Sequence, residues 1–196
     1  MSNKIKRLIG LKKQRTTEKK RPLLATMTGE PLQLARIHYD LLGEQEVERT
    51  FSRLKCMDFD PLQKRWTWNY HEEAKKLKFQ SPYDAIPKEH RPIAIGSFYF
   101  RVTEQRMYLD VNSFDRAIAA IQFFDTHLNR DVASLSHIQV VNKFFEAVPG
   151  MIPRQNDYFD PGLPERPDDK SGFEELAADK TLKRNEDGVV STKNGC

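Results

Sequence analysis

Three groups of residues in this 196-residue chain have types and spacings that could do chemistry. The first is RWTWNY, Arg65 to Tyr70, with Trp66, Trp68 and Tyr70 at every second position. In an extended strand that spacing puts all three rings on one face. Beside a basic residue such a row could stack the bases of a single-stranded nucleic acid, each base contributing about 1–3 kcal/mol. The same row could instead wall a core, to which aromatic side chains contribute the largest areas. Arg65, Thr67 and Asn69 would then form the polar outer face, and burial of the rings is the expected outcome. The second group is Asp58 and Asp60 in CMDFDP, with Asp110 further on. Carboxylates brought together could hold Mg²⁺ for phosphodiester chemistry, whereas aspartate before proline commonly opens a turn. Turn chemistry is the expectation. The third group, His38, His71, His90, His127 and His137, shows no ligand spacing, and HEE at His71 lacks the second histidine of a zinc-protease helix. No phosphate-cradling loop or GxSxG elbow occurs. The sequence therefore assigns no catalytic residue, metal site or cofactor, and points away from an enzyme.

Charge is distributed unevenly. The net charge is +4. From Met1 to Pro22, nine basic residues (Lys4, Lys6, Arg7, Lys12, Lys13, Arg15, Lys19, Lys20, Arg21) face Glu18 alone, a local +8. Residues 23 to 150 carry 16 basic and 17 acidic groups, and the remainder 7 and 10, so those segments hold −1 and −3. The basic character belongs to the N-terminal arm. Such an arm can follow a phosphate backbone and gain by counterion release. Ile5, Leu8 and Ile9 also give it a small apolar face suited to an anionic membrane surface, and a merely solubilising tail is the bland alternative. The nine basic residues are the candidate nucleic-acid-binding set.

The elements that must position these groups fall into three zones: a basic flexible arm (1–28), a single α+β domain (29–148), and a tail (149–196) that is first Pro-rich and then acidic and is expected to be mostly disordered. Five prolines between Pro149 and Pro167 exclude continuous helix there. In the central zone EPLQLARIHYDLLG reads as a helix, with Pro31 in its first turn and Gly43 at its C-terminal cap. TFSRLKCMDF and KRWTWNY flank Asp60-Pro61 as one hairpin; PIAIGSFYFRV and RMYLDVN form a second. SFDRAIAAIQFFDTHLN, capped by Ser113, is the clearest helix. A last helix is expected from about Ser134. The fold class is thus α+β: an antiparallel sheet of two β-hairpins packed against about three helices, with disordered N- and C-terminal tails.

GSFYFRV, Gly96 to Val102, resembles the aromatic strand of RNA-recognition motifs in its alternating rings. It departs from them in having no basic residue before Gly96 and no βαββαβ order around it, so ordinary strand aromatics account for it. Cys56 and Cys196 are the only cysteines and build no disulfide framework, which suits a reducing, intracellular and cytoplasmic setting. No apolar run approaches the roughly 20 residues of a membrane span. The functional expectation is a non-catalytic accessory or adaptor protein. Its body would bind a protein partner and its arm an anionic one, nucleic acid first. A metal-dependent phosphodiesterase or nuclease using Asp58, Asp60 and Asp110, and a purely structural subunit, are the rivals.

Overall fold

The computed structural model describes residues 21–159 and, as backbone, the short strands at 183–184 and 189–192. Its elements are β1 (Ala35–Leu41), α1 (Glu44–Arg53), β2 (Met57–Asp60), β3 (Arg65–Tyr70), β4 (Ile93–Arg101), β5 (Arg106–Val111), α2 (Phe114–His127) and β6 (Ala133–Val141). The short strands β7 (Lys183–Arg184) and β8 (Val189–Thr192) complete the order. The sheet runs β2-β3-β4-β5-β1-β6-β8-β7, every described pair antiparallel. The chain lays down the central strand first, crosses through α1 to the far edge, and meanders back through β2 to β5. From there α2 carries it to β6 on the other side of β1.

The α+β class holds, but its parts differ from expectation. Six body strands replace two hairpins alone, and two α-helices replace about three. The segment around Ala35 to Leu41 is β1, not a helix, because a central strand is covered on both faces: every residue from Leu34 to Tyr39 is buried. Two-sided burial erases the alternation that marks a half-buried strand. Residues 133–141 are likewise β6 rather than the last helix, in keeping with their β-branched centre. The helix that does form, α1, was not expected; only Val47 and Phe51, four apart, are buried along it. Gly43 precedes α1 instead of closing a helix, and a Cβ there would come within 2.9 Å of Val132 Cβ. The β4–β5 hairpin and α2 stand as expected, and Ser113 Oγ accepts from Arg116 N at 3.1 Å; the first hairpin forms with β2 cut to Met57–Asp60, because Thr50 to Arg53, expected in its strand, belong to α1.

Both helices cover one sheet face. Phe51 of α1 meets Trp66, Phe98 and Phe124 with ring centroids 5.6, 4.8 and 5.8 Å apart, and Phe124 of α2 meets Trp68 at 5.0 Å. Burying a side chain such as Phe51 contributes about 1.5–3 kcal/mol. Trp66, Trp68 and Tyr70 are all within this core, so the aromatic row is a wall, and Tyr70 satisfies its hydroxyl by donating to Leu77 O at 2.9 Å. A second cluster, Leu34, Val141, Phe145 and Phe159 with Leu24, Leu32 and Tyr158, fastens residues 142–159 and the root of the N-terminal arm to the sheet. There Leu24 N donates to Phe145 O at 2.7 Å and Ala147 N to Pro22 O at 2.8 Å.

Cys56 sits at the edge of the core with no accessible surface. Burial and the neighbouring Glu73 carboxylate push its thiol up to about 12. Since the thiolate is the reactive species, a Cys196→Ser chain is expected to show no thiol titratable with a disulfide reagent in its native state and one after denaturation. Rapid native labelling would contradict this packing.

Candidate functional site

The face opposite both helices carries polar and π-bearing side chains in two cross-strand rows. Strand pairing aligns Asp58, Thr67, Ser97, Asp110, Arg36 and Gln139 in one row across β2 to β6. Two residues along the strands, Arg65 pairs with Asp60 in β2. Tyr99, Tyr108, His38 and His137 continue this second row across β4, β5, β1 and β6. Alternation makes this the counterpart of the core: Phe98, Leu109 and Ile37 point inward while their neighbours point out.

In the second row the rings touch in sequence. Tyr99 stacks on Tyr108 at 5.1 Å and 22°, Tyr108 meets His38 at 6.2 Å, and His38 lies on His137 at 4.2 Å and 6°. The Arg36 guanidinium sits 4.0 Å from the Tyr108 ring centre and 5.1 Å from that of Phe159. Arg36 also grips Asp110 with two hydrogen bonds, Nε to Oδ1 at 2.6 Å and Nη2 to Oδ2 at 2.9 Å. Burial raises the Asp110 carboxyl from its ordinary value against the pull of Arg36. His38 is more strongly perturbed: burial, then the nearby His137, lower it to about 3, against the bond between its Nε2 and Gln139 Oε1 at 3.0 Å. It is therefore neutral at pH 7 and cannot supply a cation there.

One end of this face opens into a groove of about 480 Å³ between the β4–β5 surface and the segment Pro153 to Asn156. That size lies within the usual range for small-ligand sites. Arg65 and Tyr99 stand at one end, Ser97 and Asp110 are among the lining residues from the sheet, and Gln155 is on the wall. Arg65 Nη1 donates to Ser97 Oγ at 3.2 Å and to the Tyr99 hydroxyl at 3.5 Å, while its Nε lies 3.6 Å from Asp60 Oδ2. Gln155 Nε2 donates to Val111 O at 2.8 Å and Asn112 Oδ1 at 3.2 Å. These bonds fix which way its amide faces and leave Oε1 without a hydrogen-bond partner.

The sequence-derived candidates are placed differently. Asp58, Asp60 and Asp110 do not converge. Asp58 and Asp110 share a cross-strand row but are three strand spacings apart, about 14 Å. Asp58 accepts from Asn69 Nδ2 at 2.7 Å, Asp60 from the amides of Leu62 and Gln63 at 3.1 Å each, and Asp110 is held by Arg36. Asp60 thus performs the turn chemistry expected of it. Among the described residues no three His, Cys, Asp or Glu side chains form a group able to hold a metal ion. Lys4, Lys6, Arg7, Lys12, Lys13, Arg15, Lys19 and Lys20 lie outside the described residues; Arg21 is exposed.

Sequence reasoning missed Tyr99 and Tyr108, and it named His38 and His137 among the histidines without seeing that they pair. Tyr99 and Tyr108 occupy the alternate positions of correctly recognised strands and were legible as the outer face of the second hairpin. His38 and His137 lie in segments whose apolar spacing imitates a helix, so their pairing across β1 and β6 had no local signal. The chain matches no family model, no curated protein and no solved structure, so its function rests on what this face and this groove can bind.

Proposed function

We propose that the protein is a non-catalytic accessory protein that binds single-stranded nucleic acid. The basic arm follows the phosphates, and the groove at the Arg65–Tyr99 end of the helix-free face receives the strand. The observation that carries this reading is the half-buried pair Arg65 and Tyr99, lining a groove whose wall comes from the same segment that anchors the arm. Residues 142–159 hold Pro22 and Leu24 through backbone bonds and also supply the groove wall. A segment of local charge +8 is therefore tethered at Pro22 to the same segment that walls the groove at Tyr99, and basic residues with a stacking ring are the combination that sequence-tolerant single-strand binding uses.

The adaptor half of the reading draws on the other end of the sheet. β2 pairs only with β3 among the described strands, and Phe59 and Leu62 beside it are 50% and 94% exposed. An edge with free backbone groups and apolar side chains suits a partner that adds a strand. A cytoplasmic setting fits a chain whose Cys56 is a buried free thiol. No helix among the described residues is long and apolar enough to cross a membrane.

The test is binding of single-stranded DNA and RNA, and of anionic vesicles, by the full chain and by a chain lacking residues 2–20, which keeps the Pro22 anchor. The full chain is expected to prefer oligonucleotides, with affinity falling on added salt by about 0.7 log units per log unit of salt for each phosphate contacted. Removing the arm should flatten that slope. No oligonucleotide binding by the full chain, or tighter binding to vesicles, defeats the reading.

A further inference from the structure

We propose that the groove between β4, β5 and residues 153–156 is a base-reading site, taking one unpaired base that bears an exocyclic amine against Tyr99, in preference to uracil or thymine. This inference rests on the nucleic-acid reading and adds to it a location and a chemical preference.

The stacking surface comes first. One face of Tyr99 is occupied by Tyr108, and the ring also lines the groove with Arg65 beside it. A planar base entering there continues the row of rings already running across the sheet, and Arg65 lies within reach of its phosphate. Along β4 the groove extends from Ala94 to Tyr99, about 16 Å of strand, enough to seat a nucleotide lengthwise.

Preference follows from the hydrogen-bonding groups around that seat. Asp110 has its two Arg36 bonds on one side and still lines the groove, and an ionised carboxylate accepts at more positions than those two bonds fill. Gln155, also a lining residue, turns its amide nitrogen to the Val111 carbonyl, which leaves its Oε1 a buried acceptor with no hydrogen-bond partner, reachable once the Pro153 to Asn156 wall shifts. Two acceptors need donors from the ligand. Adenine, cytosine and guanine offer an amino group, and guanine adds an adjacent ring N–H. Uracil and thymine present carbonyl oxygens at the corresponding positions, which the same groups disfavour. A site of acceptors rejects the ligand that leaves them unpaired.

The experiment uses the full chain and short single-stranded oligonucleotides: oligo(U), and oligo(U) with one central 2-aminopurine, whose fluorescence falls when its ring stacks. The unmodified protein is expected to quench the 2-aminopurine and to bind that oligonucleotide about tenfold more tightly than oligo(U). Tyr99→Leu should lose both the quenching and the tenfold preference while keeping the salt dependence that the arm supplies. Tyr99→Phe, which keeps the ring, should retain quenching, and circular dichroism melts check that both variants fold. Undiminished quenching in a folded Tyr99→Leu protein, or equal affinity for the two oligonucleotides, overturns the base-reading site while the arm's binding to oligo(U) stands. No binding of either oligonucleotide by the unmodified protein overturns both readings.

Discussion

Asp110→Leu alone is expected to cost about 3–5 kcal/mol of folding stability, and Arg36→Met added to it should return most of that loss. The two side chains are 9% and 1% exposed, so neither charge is well solvated. Removing the carboxylate leaves a guanidinium buried between the rings of Tyr108 and Phe159. Those rings offer a π-face, worth about 0.5–2 kcal/mol, but no acceptor for the two donors that Asp110 satisfied. The double variant removes both the charge and its need for a partner, and methionine fills much of the space of the arginine stem. Urea unfolding of the two singles and the double measures the coupling directly. A double variant as unstable as Asp110→Leu would mean that the pair acts through packing rather than charge. The same double variant separates stability from binding: a stable protein without Asp110 should bind 2-aminopurine oligonucleotide no better than oligo(U).

A parallel pair lies on the helical side, where Arg116 Nη2 donates to Thr28 Oγ1 at 2.7 Å and its Nε lies 3.6 Å from Glu30 Oε2. Thr26 and Thr28 both donate to Glu30, and Gln80 N reaches its other oxygen at 3.4 Å. This network ties the 26–30 turn and the loop after β3 to α2. Burial lowers the Arg116 guanidinium, opposed by Glu30. Local sequence shows neither pair, because their partners are 74 and 86 residues apart.

What the sequence made legible follows the same division between local and distant signals. The β4–β5 hairpin announces itself because Phe98 and Phe100 alternate with Ser97 and Tyr99 over a half-buried strand. Helix α2 carries its own cap and its own apolar stripe. In β1, by contrast, Leu34, Ile37 and Leu41 fall at helical spacing, and the residues that would break that pattern, Arg36 and His38, are themselves buried by partners in β5 and β6. Helix α1 is the reverse case: its segment, EQEVERTFSR, is almost wholly polar, and Phe51 joins it to the core through rings supplied by β3, β4 and α2. The groove was less legible still. Its walls come from β4, β5 and a proline-punctuated segment that composition assigns to the tail, yet Phe159 at the end of that segment is 3% exposed. Aromatic residues inside the proline cluster, Tyr158 and Phe159 between Pro153 and Pro161, are the one hint the sequence offered.

Acid is expected to destabilise the protein well before its carboxylates are protonated, and His38 supplies the reason. Its folded value of about 3 lies below the 6.5 of an unperturbed imidazole, so between those limits the unfolded chain binds a proton that the folded one refuses. Stability then rises with pH across that window and is lost as pH falls through it, with a ceiling of about 4–5 kcal/mol at 1.36 kcal/mol per unit. The raised Asp110 carboxyl acts in the opposite sense at the acid end. His38 cannot easily take a proton where it stands. His137 stacks on one side, Arg36 and Arg106 add positive charge, and its Nδ1 has no hydrogen-bond partner. His38→Phe should preserve the ring stack while removing the titration, so its urea midpoint should change much less between pH 6.5 and 4 than that of the unmodified chain. Proton NMR of the His38 ring should show no titration down to pH 4 in the folded state. A normal imidazole titration near pH 6.5, or parallel stability curves for the two proteins, would mean that this side of the sheet is far better hydrated than its packing implies.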